Sequence, residues 1–313
     1  MTDSTGFVQV DAVPPGCVRI KVCTYNVLAQ HLANYFPYAA HSSVRQARRR
    51  PRVLEAIDGD VHNTVFSYIP NTALISYHGM LTRLIELCGA PGLRFAQIAV
   101  KDAKFRTFIA DAHKRKELFP HVYDVTYGIV RPGIDNLVII DDSIVRGNTM
   151  RNAILPILDR LHPKRIVVCS SAPPICYPDC YGIDMASFGD LVAFEALVSL
   201  LKGHDKLELF RLAVELARQD LRGPDSVMQN RALPLYQCFG HNELEEEIAR
   251  HLKPEGLQAE LKVVYQTRES LRHCCPDHTG DWYFTGDYPT PGGNRVVNRA
   301  LVNYVENINT RAY

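Results

Sequence analysis

Asp141 and Asp142 stand side by side directly after the apolar run Leu137-Val138-Ile139-Ile140, and Ser143-Ile144-Val145-Arg146-Gly147-Asn148-Thr149 follows them. Adjacent carboxylates at a strand end suit the two hydroxyls of a sugar or a hydrated divalent cation, because they accept hydrogen bonds and offer hard oxygen ligands. The residues behind them suit an anion. Gly147 lets the backbone approach a phosphate closely, and Ser143, Asn148 and Thr149 can add hydroxyl or amide contacts. A turn that joins a strand to a helix also offers unpaired N–H groups carrying a partial positive charge. Sugar and phosphate are thus both provided for. A solvated Asp pair capping a helix is the plainer reading, and the apolar strand before it with Arg-Gly-Asn-Thr after it argues against that.

The elements that must position this turn can be read outward from it. Asn136 to Ile140 is β-branched and apolar, as in a buried parallel strand, and Asn152 to Leu161 carries apolar residues at helical spacing. Pro156 should kink or shorten that helix. Upstream, Thr64 to Ile69 reads as a strand ending at Pro70-Asn71-Thr72, with a helix through Leu87 and a second strand from Arg94 to Val100. A polar segment of little periodicity runs from Lys101 to Tyr127. Downstream come a strand at Arg165 to Ser171, an apolar helix from Ser187 to about Leu201, a helix at Glu243 to Leu252, a short strand at Leu261 to Gln266 and a closing helix at Arg295 to Asn307. Pro291-Gly292-Gly293 reads as a turn before that last helix. Strands alternating with helices argue for a parallel, doubly wound sheet, at whose strand carboxyl ends ligands bind.

Composition sets broad limits. A chain of 313 residues with 46% hydrophobic content can bury a full core; a net charge of +1 says nothing about partners, and no nucleic-acid partner is expected. No stretch reaches the ~18 apolar residues of a membrane span, and Met-Thr-Asp-Ser lacks the features of a secretory signal, so a cytoplasmic location is expected. Nine cysteines without a pairing pattern read as reduced thiols. Vicinal Cys274-Cys275 between His273 and His278 matches no usual zinc spacing. Arg48-Arg49-Arg50 reads as a solvated helix face, and Trp282 as a packing anchor. Residues 1–45 form a leader with no assignable role.

From about Val53 onward the chain resembles the phosphoribosyltransferase half of glutamine amidophosphoribosyltransferases, a family of de novo purine synthesis. The Asp141–Thr149 loop alone marks a type I phosphoribosyltransferase. The narrower match comes from Lys101 with Arg106-Thr107-Phe108-Ile109, from Ser171-Ala172-Pro173-Pro174 and Tyr177-Pro178, from Tyr181-Gly182-Ile183-Asp184-Met185, and from Phe284-Thr285-Gly286 with Tyr288-Pro289-Thr290. The resemblance implies a type I phosphoribosyltransferase-like doubly wound sheet as a core over residues 46–202, with a helical C-terminal extension over 203–313 packed on it. It implies that Asp141 and Asp142 hold the ribose hydroxyls and Mg²⁺ of phosphoribosyl pyrophosphate (PRPP), and that the backbone of Ser143, Ile144, Val145, Arg146, Gly147, Asn148 and Thr149 cradles the 5′-phosphate. Asn71 and Thr72 would lie in the pyrophosphate loop. Lys101, Arg106 and Arg115 would be catalytic cations on a loop, running to about Tyr127, that folds over the substrate.

The chemistry is consistent with those roles. Displacing pyrophosphate builds negative charge on the leaving group, and Lys101 to Glu117 holds six Lys or Arg against three Asp or Glu. Ammonia needs no strong base to activate it, which leaves positioning and water exclusion as the protein's task. Three departures from the family pattern shape the expected activity. Residue 2 is Thr where a catalytic cysteine would begin a glutaminase domain, and Cys17 is the first cysteine, so glutamine hydrolysis is not expected from this chain by itself. Asn71 and Asn148 stand where relatives carry Asp and Thr, and Gly280 and Tyr283 occupy the places of a cluster-binding Cys-x-x-Cys pair, so no iron–sulfur cluster is expected. The expected reaction is formation of 5-phosphoribosylamine and pyrophosphate from PRPP and ammonia, with a separate glutaminase as a potential partner and a homo-oligomer as the expected assembly. The alternatives are a salvage-type phosphoribosyltransferase acting on a nitrogen base and a non-catalytic PRPP-binding fragment.

Overall fold

The computed structural model describes residues 52–70, 73–101, 123–179, 185–224, 228–277, 280–308 and 310–312. The expectations for the 1–45 leader, Arg48 to Arg50, Asn71, Thr72, Arg106, Arg115, Tyr181 to Asp184 and His278 lie outside these residues.

The centre is a five-stranded, wholly parallel sheet. Its strands are β1 (Thr64–Tyr68), β2 (Arg94–Phe95), β5 (Asn136–Asp141), β6 (Arg165–Ser170) and β7 (Glu260–Tyr265), in the spatial order β2-β1-β5-β6-β7. The chain therefore starts in the middle, runs to one edge, returns and then runs to the other. That reversal leaves a crevice outside the carboxyl ends of β1 and β5, where ligands bind in doubly wound sheets. The unbroken apolar character of β5 has a direct cause: Leu137 and Ile139 enter the core on one face, while Val138 and Ile140 enter the core on the other. Neither face is left for water.

Helices cover both faces. α1 (Arg52–Ala56) and α2 (Leu74–Cys88) bury Leu54, Ala56, Tyr77, Met80 and Leu84 against Phe66, Val138 and Val167. On the opposite face lie α3 (Leu155–Asp159), α4 (Val192–Gly203), α5 (Leu207–Arg222), the short α6 (Leu233–Tyr236), α7 (His241–Leu252), α8 (Arg268–Cys274), the short α9 (Trp282–Thr285) and α10 (Pro291–Glu306). The apolar α4 is buried within the fold through Val192, Phe194, Leu197 and Leu201, so its composition reflects core packing. Trp282 is an anchor as expected: it is buried and its indole N–H donates to Asp179 Oδ1 at 3.3 Å.

Several local expectations need correction. The strand expected over Arg94 to Val100 is two: β2 ends at Phe95, and β3 (Ala99–Lys101) leaves the central sheet to pair antiparallel with β4 (Tyr123–Val125), a strand not expected at all. The break falls where Ala96 donates to the Phe66 carbonyl at 3.1 Å and Ile98 donates to the Ser67 hydroxyl at 3.0 Å, a side-chain bond that ends the ladder. The helix after β5 begins as a π-helical turn, Met150–Ile154, in which the Leu155 N–H reaches the Met150 carbonyl, and α3 follows with Pro156 in its first turn. Proline lacks an N–H, so a helix start is the place where it costs least, and the helix is shortened to Asp159. Pro291-Gly292-Gly293 is no separate turn but the opening of α10, capped by Thr290, whose hydroxyl accepts from the Gly293 N–H at 3.3 Å. A Cβ on Gly293 would sit 2.5 Å from the Tyr288 ring, which explains a glycine inside that helix. The short strand expected at Leu261 to Gln266 is β7, which forms the outer strand of the central sheet.

The amino end of the sheet is tied by one buried acid. Asp135, fully buried before β5, accepts from Arg94 Nη1 at 2.7 Å, from Arg131 Nη2 at 2.6 Å and from the Arg131 N–H at 2.7 Å, and Arg131 also donates to Asn63 Oδ1 at 2.8 Å. Burial alone would raise this carboxyl, but the hydrogen bonds from Arg131 and Arg94 outweigh it and hold it below the usual value. A depressed folded-state pKa gives stability that is present above the unfolded value of about 4 and is lost as pH falls through the folded one. Asp135→Asn should therefore cost about 3 kcal/mol at neutral pH. Denaturant melts from pH 6 down to 3 should show the wild type losing this advantage at the acid end while the variant stays flatter.

Candidate functional site

Asp141 is the last residue of β5, and its backbone continues into a turn held from two sides. From the residues after β6, the Ser171 N–H donates to the Asp141 carbonyl at 3.0 Å, the Ala172 N–H to the Asp142 carbonyl at 3.1 Å, and the Ser171 hydroxyl to the Asp142 carbonyl at 2.9 Å. From α4, the Val192 N–H donates to the Val145 carbonyl at 2.9 Å. These bonds use carbonyls and leave the acidic groups free to face a ligand. The Ser171-Ala172 pair entered the sequence reading only as part of a motif; its backbone role depends on β6 lying beside β5, which no local pattern encodes.

The carboxylates themselves engage little beyond the turn. Asp141 Oδ1 accepts from the Asp142 N–H and Asp142 Oδ1 from the Ser143 N–H, both at 2.9 Å. Burial, and after it the neighbouring Asp142, push the Asp141 carboxyl well above its ordinary range. A cation or a pair of donating hydroxyls at this position would relieve that opposition. Only oxygen donors are present, and among the described residues no cluster of three or more His, Cys, Asp or Glu forms a cage. Such a pair suits Mg²⁺ held by one or two carboxylates and a phosphorylated ligand, and does not suit a zinc or iron site.

The second half of the turn is an amide-lined bend. Gly147 has φ +70°, and a Cβ there would lie 2.3 Å from Leu252 Cδ2, so glycine is required both by backbone sign and by the close packing of α7. Among the described residues no acceptor takes the N–H groups of Gly147, Asn148 or Thr149, while the Gly147 carbonyl accepts from Arg151 at 2.8 Å to start the following helix. Asn148 and Thr149 are exposed, Ser143 and Val145 half-buried, and Ile144 is buried as a core anchor. Arg146 turns to Asp190, with Nε 3.1 Å from Oδ1, and braces the turn against the 3₁₀ turn Phe188–Asp190.

The nine residues from Asp141 to Thr149 are thus together in one turn at the carboxyl edge of the sheet. The chain leaving β1 runs beside them, since the Ile69 N–H donates to the Ile140 carbonyl at 2.8 Å, and Pro70 then leads toward Asn71 and Thr72. Lys101 ends β3 opposite Tyr123 of β4, a register pair that brackets residues 102–122. What the sequence reading missed is the third strand end. Glu245 of α7 accepts from the Tyr265 N–H at 2.6 Å, and Arg52 of α1 donates to the Tyr265 carbonyl at 2.8 Å and to Glu245 Oε1 at 2.8 Å. These partners are far apart in sequence, and only the completed sheet brings them together.

No protein-family model matches the chain. Curated relatives are amidophosphoribosyltransferases: that of Haemophilus influenzae is 43% identical over 142 residues, covering 44% of this chain and 25% of its own length. That of Mus musculus is 29% identical over 203 residues, covering 59% of this chain and 37% of its own. A solved structure described as the allosteric regulatory enzyme of purine biosynthesis is 21% identical, with a TM-score of 0.46 over 84% of this chain and 41% of that one. The chain is therefore similar to amidophosphoribosyltransferases, as its motifs imply, and its matches span between a quarter and a little over a third of the length of these two curated relatives.

Gly147→Ala should destabilise the fold by about 1–3 kcal/mol through the strained φ and the Leu252 clash. Urea melts of Gly147→Ala, Leu252→Ala and the double variant test this. The double variant should be less destabilised than the sum of the two single variants, because truncating Leu252 removes the clash.

Proposed function

We propose that the chain is an amidophosphoribosyltransferase-like enzyme that binds PRPP with Mg²⁺ at the carboxyl edge of its sheet and lets ammonia displace pyrophosphate to give 5-phosphoribosylamine. The observation that carries this reading is the juxtaposition, where the strand order reverses between β1 and β5, of two carboxylates that have no cationic partner among the described residues with a glycine turn whose N–H groups no described acceptor takes.

In this reading Asp141 and Asp142 receive the two ribose hydroxyls, and the amides of Gly147, Asn148 and Thr149, with the Ser143 and Thr149 hydroxyls, hold the 5′-phosphate. The sugar is then fixed at both ends, with C1 turned toward the loop that begins at Pro70. Bound Mg²⁺ supplies charge neutralisation on the diphosphate as it leaves. Lys101, Arg106 and Arg115 are proposed as the chain's own cations for that leaving group, and Asn71 and Thr72 as its backbone cradle. The bond from C1 to the pyrophosphate oxygen breaks and a bond from C1 to nitrogen forms. Ammonia then gives up one proton, which solvent can accept, so no dedicated base is required. The nitrogen is ammonia taken directly or handed over by a separate glutaminase, and association of several copies is compatible with the reading.

The test is pyrophosphate release from PRPP and Mg²⁺, with ammonium, with glutamine and with a panel of nitrogen bases. Release with ammonium and little with glutamine is the expected result, and Asp141→Asn with Asp142→Asn should lower it by about a hundredfold or more, the loss of two charge-assisted contacts. Turnover with a base in place of ammonium would instead assign a salvage activity. Stabilisation by PRPP without turnover would assign a binding protein.

A further inference from the structure

Tyr265 closes the edge strand β7, and the parallel register places it in one row with the acid pair: Asp141 of β5 lies opposite Ser170 of β6, which lies opposite Tyr265. Residues in one row of a parallel sheet project from the same face. With strands about 4.8 Å apart, Asp141 and Tyr265 are separated by roughly 10 Å of backbone with only a serine between them. That serine is small and turns its hydroxyl away, donating to the Ala172 carbonyl at 2.8 Å. A separation of that size is within the combined reach of a carboxylate, one water molecule and a tyrosine hydroxyl.

The tyrosine is held with unusual care for an edge-strand residue. An outer strand leaves its backbone groups unpaired on one side, yet here Glu245 takes the Tyr265 N–H and Arg52 serves its carbonyl, while Gln266 donates inward to the Ser170 carbonyl at 3.1 Å. The ring is 1% exposed, and its hydroxyl has no hydrogen-bond partner among the described residues. A buried hydroxyl left unsatisfied costs stability, and phenylalanine would fill the same volume without that cost. Burial, with the charges of Glu245, Cys176 and Asp141 after it, keeps the phenol well above its usual range and so in its donor form.

We propose that Tyr265 is a positioning residue for the sugar site, its hydroxyl reaching across Ser170, through one water, to orient the Asp141 carboxylate that receives the ribose hydroxyls. The inference rests on the PRPP reading above. It predicts that the missing partner of this hydroxyl is completed when a ligand seats on Asp141.

Tyr265→Phe and Tyr177→Phe make a matched pair. The Tyr177 hydroxyl is also buried without a partner, but Tyr177 lies outside the Asp141 row. Both variants should melt no lower than the wild type, because each loses an unsatisfied group. Calorimetric titration with PRPP and Mg²⁺ should then separate them: Tyr265→Phe is expected to bind about tenfold more weakly, as when a hydrogen bond to a charged group is removed, and to raise KM with kcat nearly unchanged. Tyr177→Phe should bind as the wild type does. Equal affinity of Tyr265→Phe and wild type, or an equal loss in both variants, would overturn the proposal while leaving the PRPP reading intact. No binding by the wild type would overturn both.

Discussion

Two carboxylates next to each other at the end of a buried strand repel, and among the described residues no cation neutralises Asp141 and Asp142: each accepts only from the backbone N–H one residue on. Desolvation and the neighbouring charge both oppose ionisation of Asp141. A fold keeps such an arrangement where a ligand or cation resolves it, and the rest of the site follows from that constraint. Because the acids must stay available, the turn is secured through its carbonyls instead, by Ser171, Ala172 and Val192. Because the amides must also stay available, the turn gains its shape from Gly147 at positive φ pressed against Leu252.

The contrast with the other end of the sheet makes the point sharper. Asp135 is also a buried acid adjoining β5, but it is met by two guanidinium groups and a backbone N–H, and its carboxyl is held down. One strand thus carries a compensated acid before it and an uncompensated pair at its end. Structural acids in this chain are paired: Glu245 has Arg52, and Asp220 has Arg231 at 2.7 Å. The Asp141–Asp142 pair departs from that habit, since its described contacts are backbone N–H groups alone.

What could be read from the sequence was whatever local physics determines. The apolar run of β5 was legible because a strand buried on both faces needs no polar residue, and the glycine turn after it was legible because backbone sign and close approach both select glycine. The apolar α4 was legible as a helix, and only the structure places it inside the core. The errors share a different cause. β2 and β3 look like one strand because Ala96 and Ile98 flank Gln97 with the alternation of a strand, and the break is made by Ser67, some thirty residues earlier. The opening of α10 looks like a loop because Pro-Gly-Gly is a turn signal, until Thr290 caps it and Tyr288 fills the space a side chain would need. β4 was invisible because three residues acquire strand geometry only from their partner β3. At the carboxyl edge of the sheet the same division holds. The acid pair and the glycine turn are contiguous and could be singled out from the sequence; the clamp made by Arg52, Glu245 and Tyr265 joins three distant segments and could not be.

That clamp also bears on how the carboxyl edge is kept in register. Across β5, β6 and β7 the row Asp141, Ser170, Tyr265 is set by main-chain ladders, and a slip of one residue would turn each of these side chains to the other face. The outer strand is the most exposed to such a slip, since only one side of it is paired. Glu245 and Arg52 grip the N–H and carbonyl of its last residue, using an ion pair between α7 and α1 that spans the two faces of the sheet. Burial would raise the Glu245 carboxyl, yet hydrogen bonds from His241 and Arg52 carry it below its ordinary value, so it is ionised wherever the protein is folded near neutral pH. The edge of the sheet therefore ends in a charged lock, placed at the same level as the acid pair two strands away. Its position at the carboxyl end of β7 fixes the register of the row that ends in Asp141, on the side where the outer strand has no neighbour.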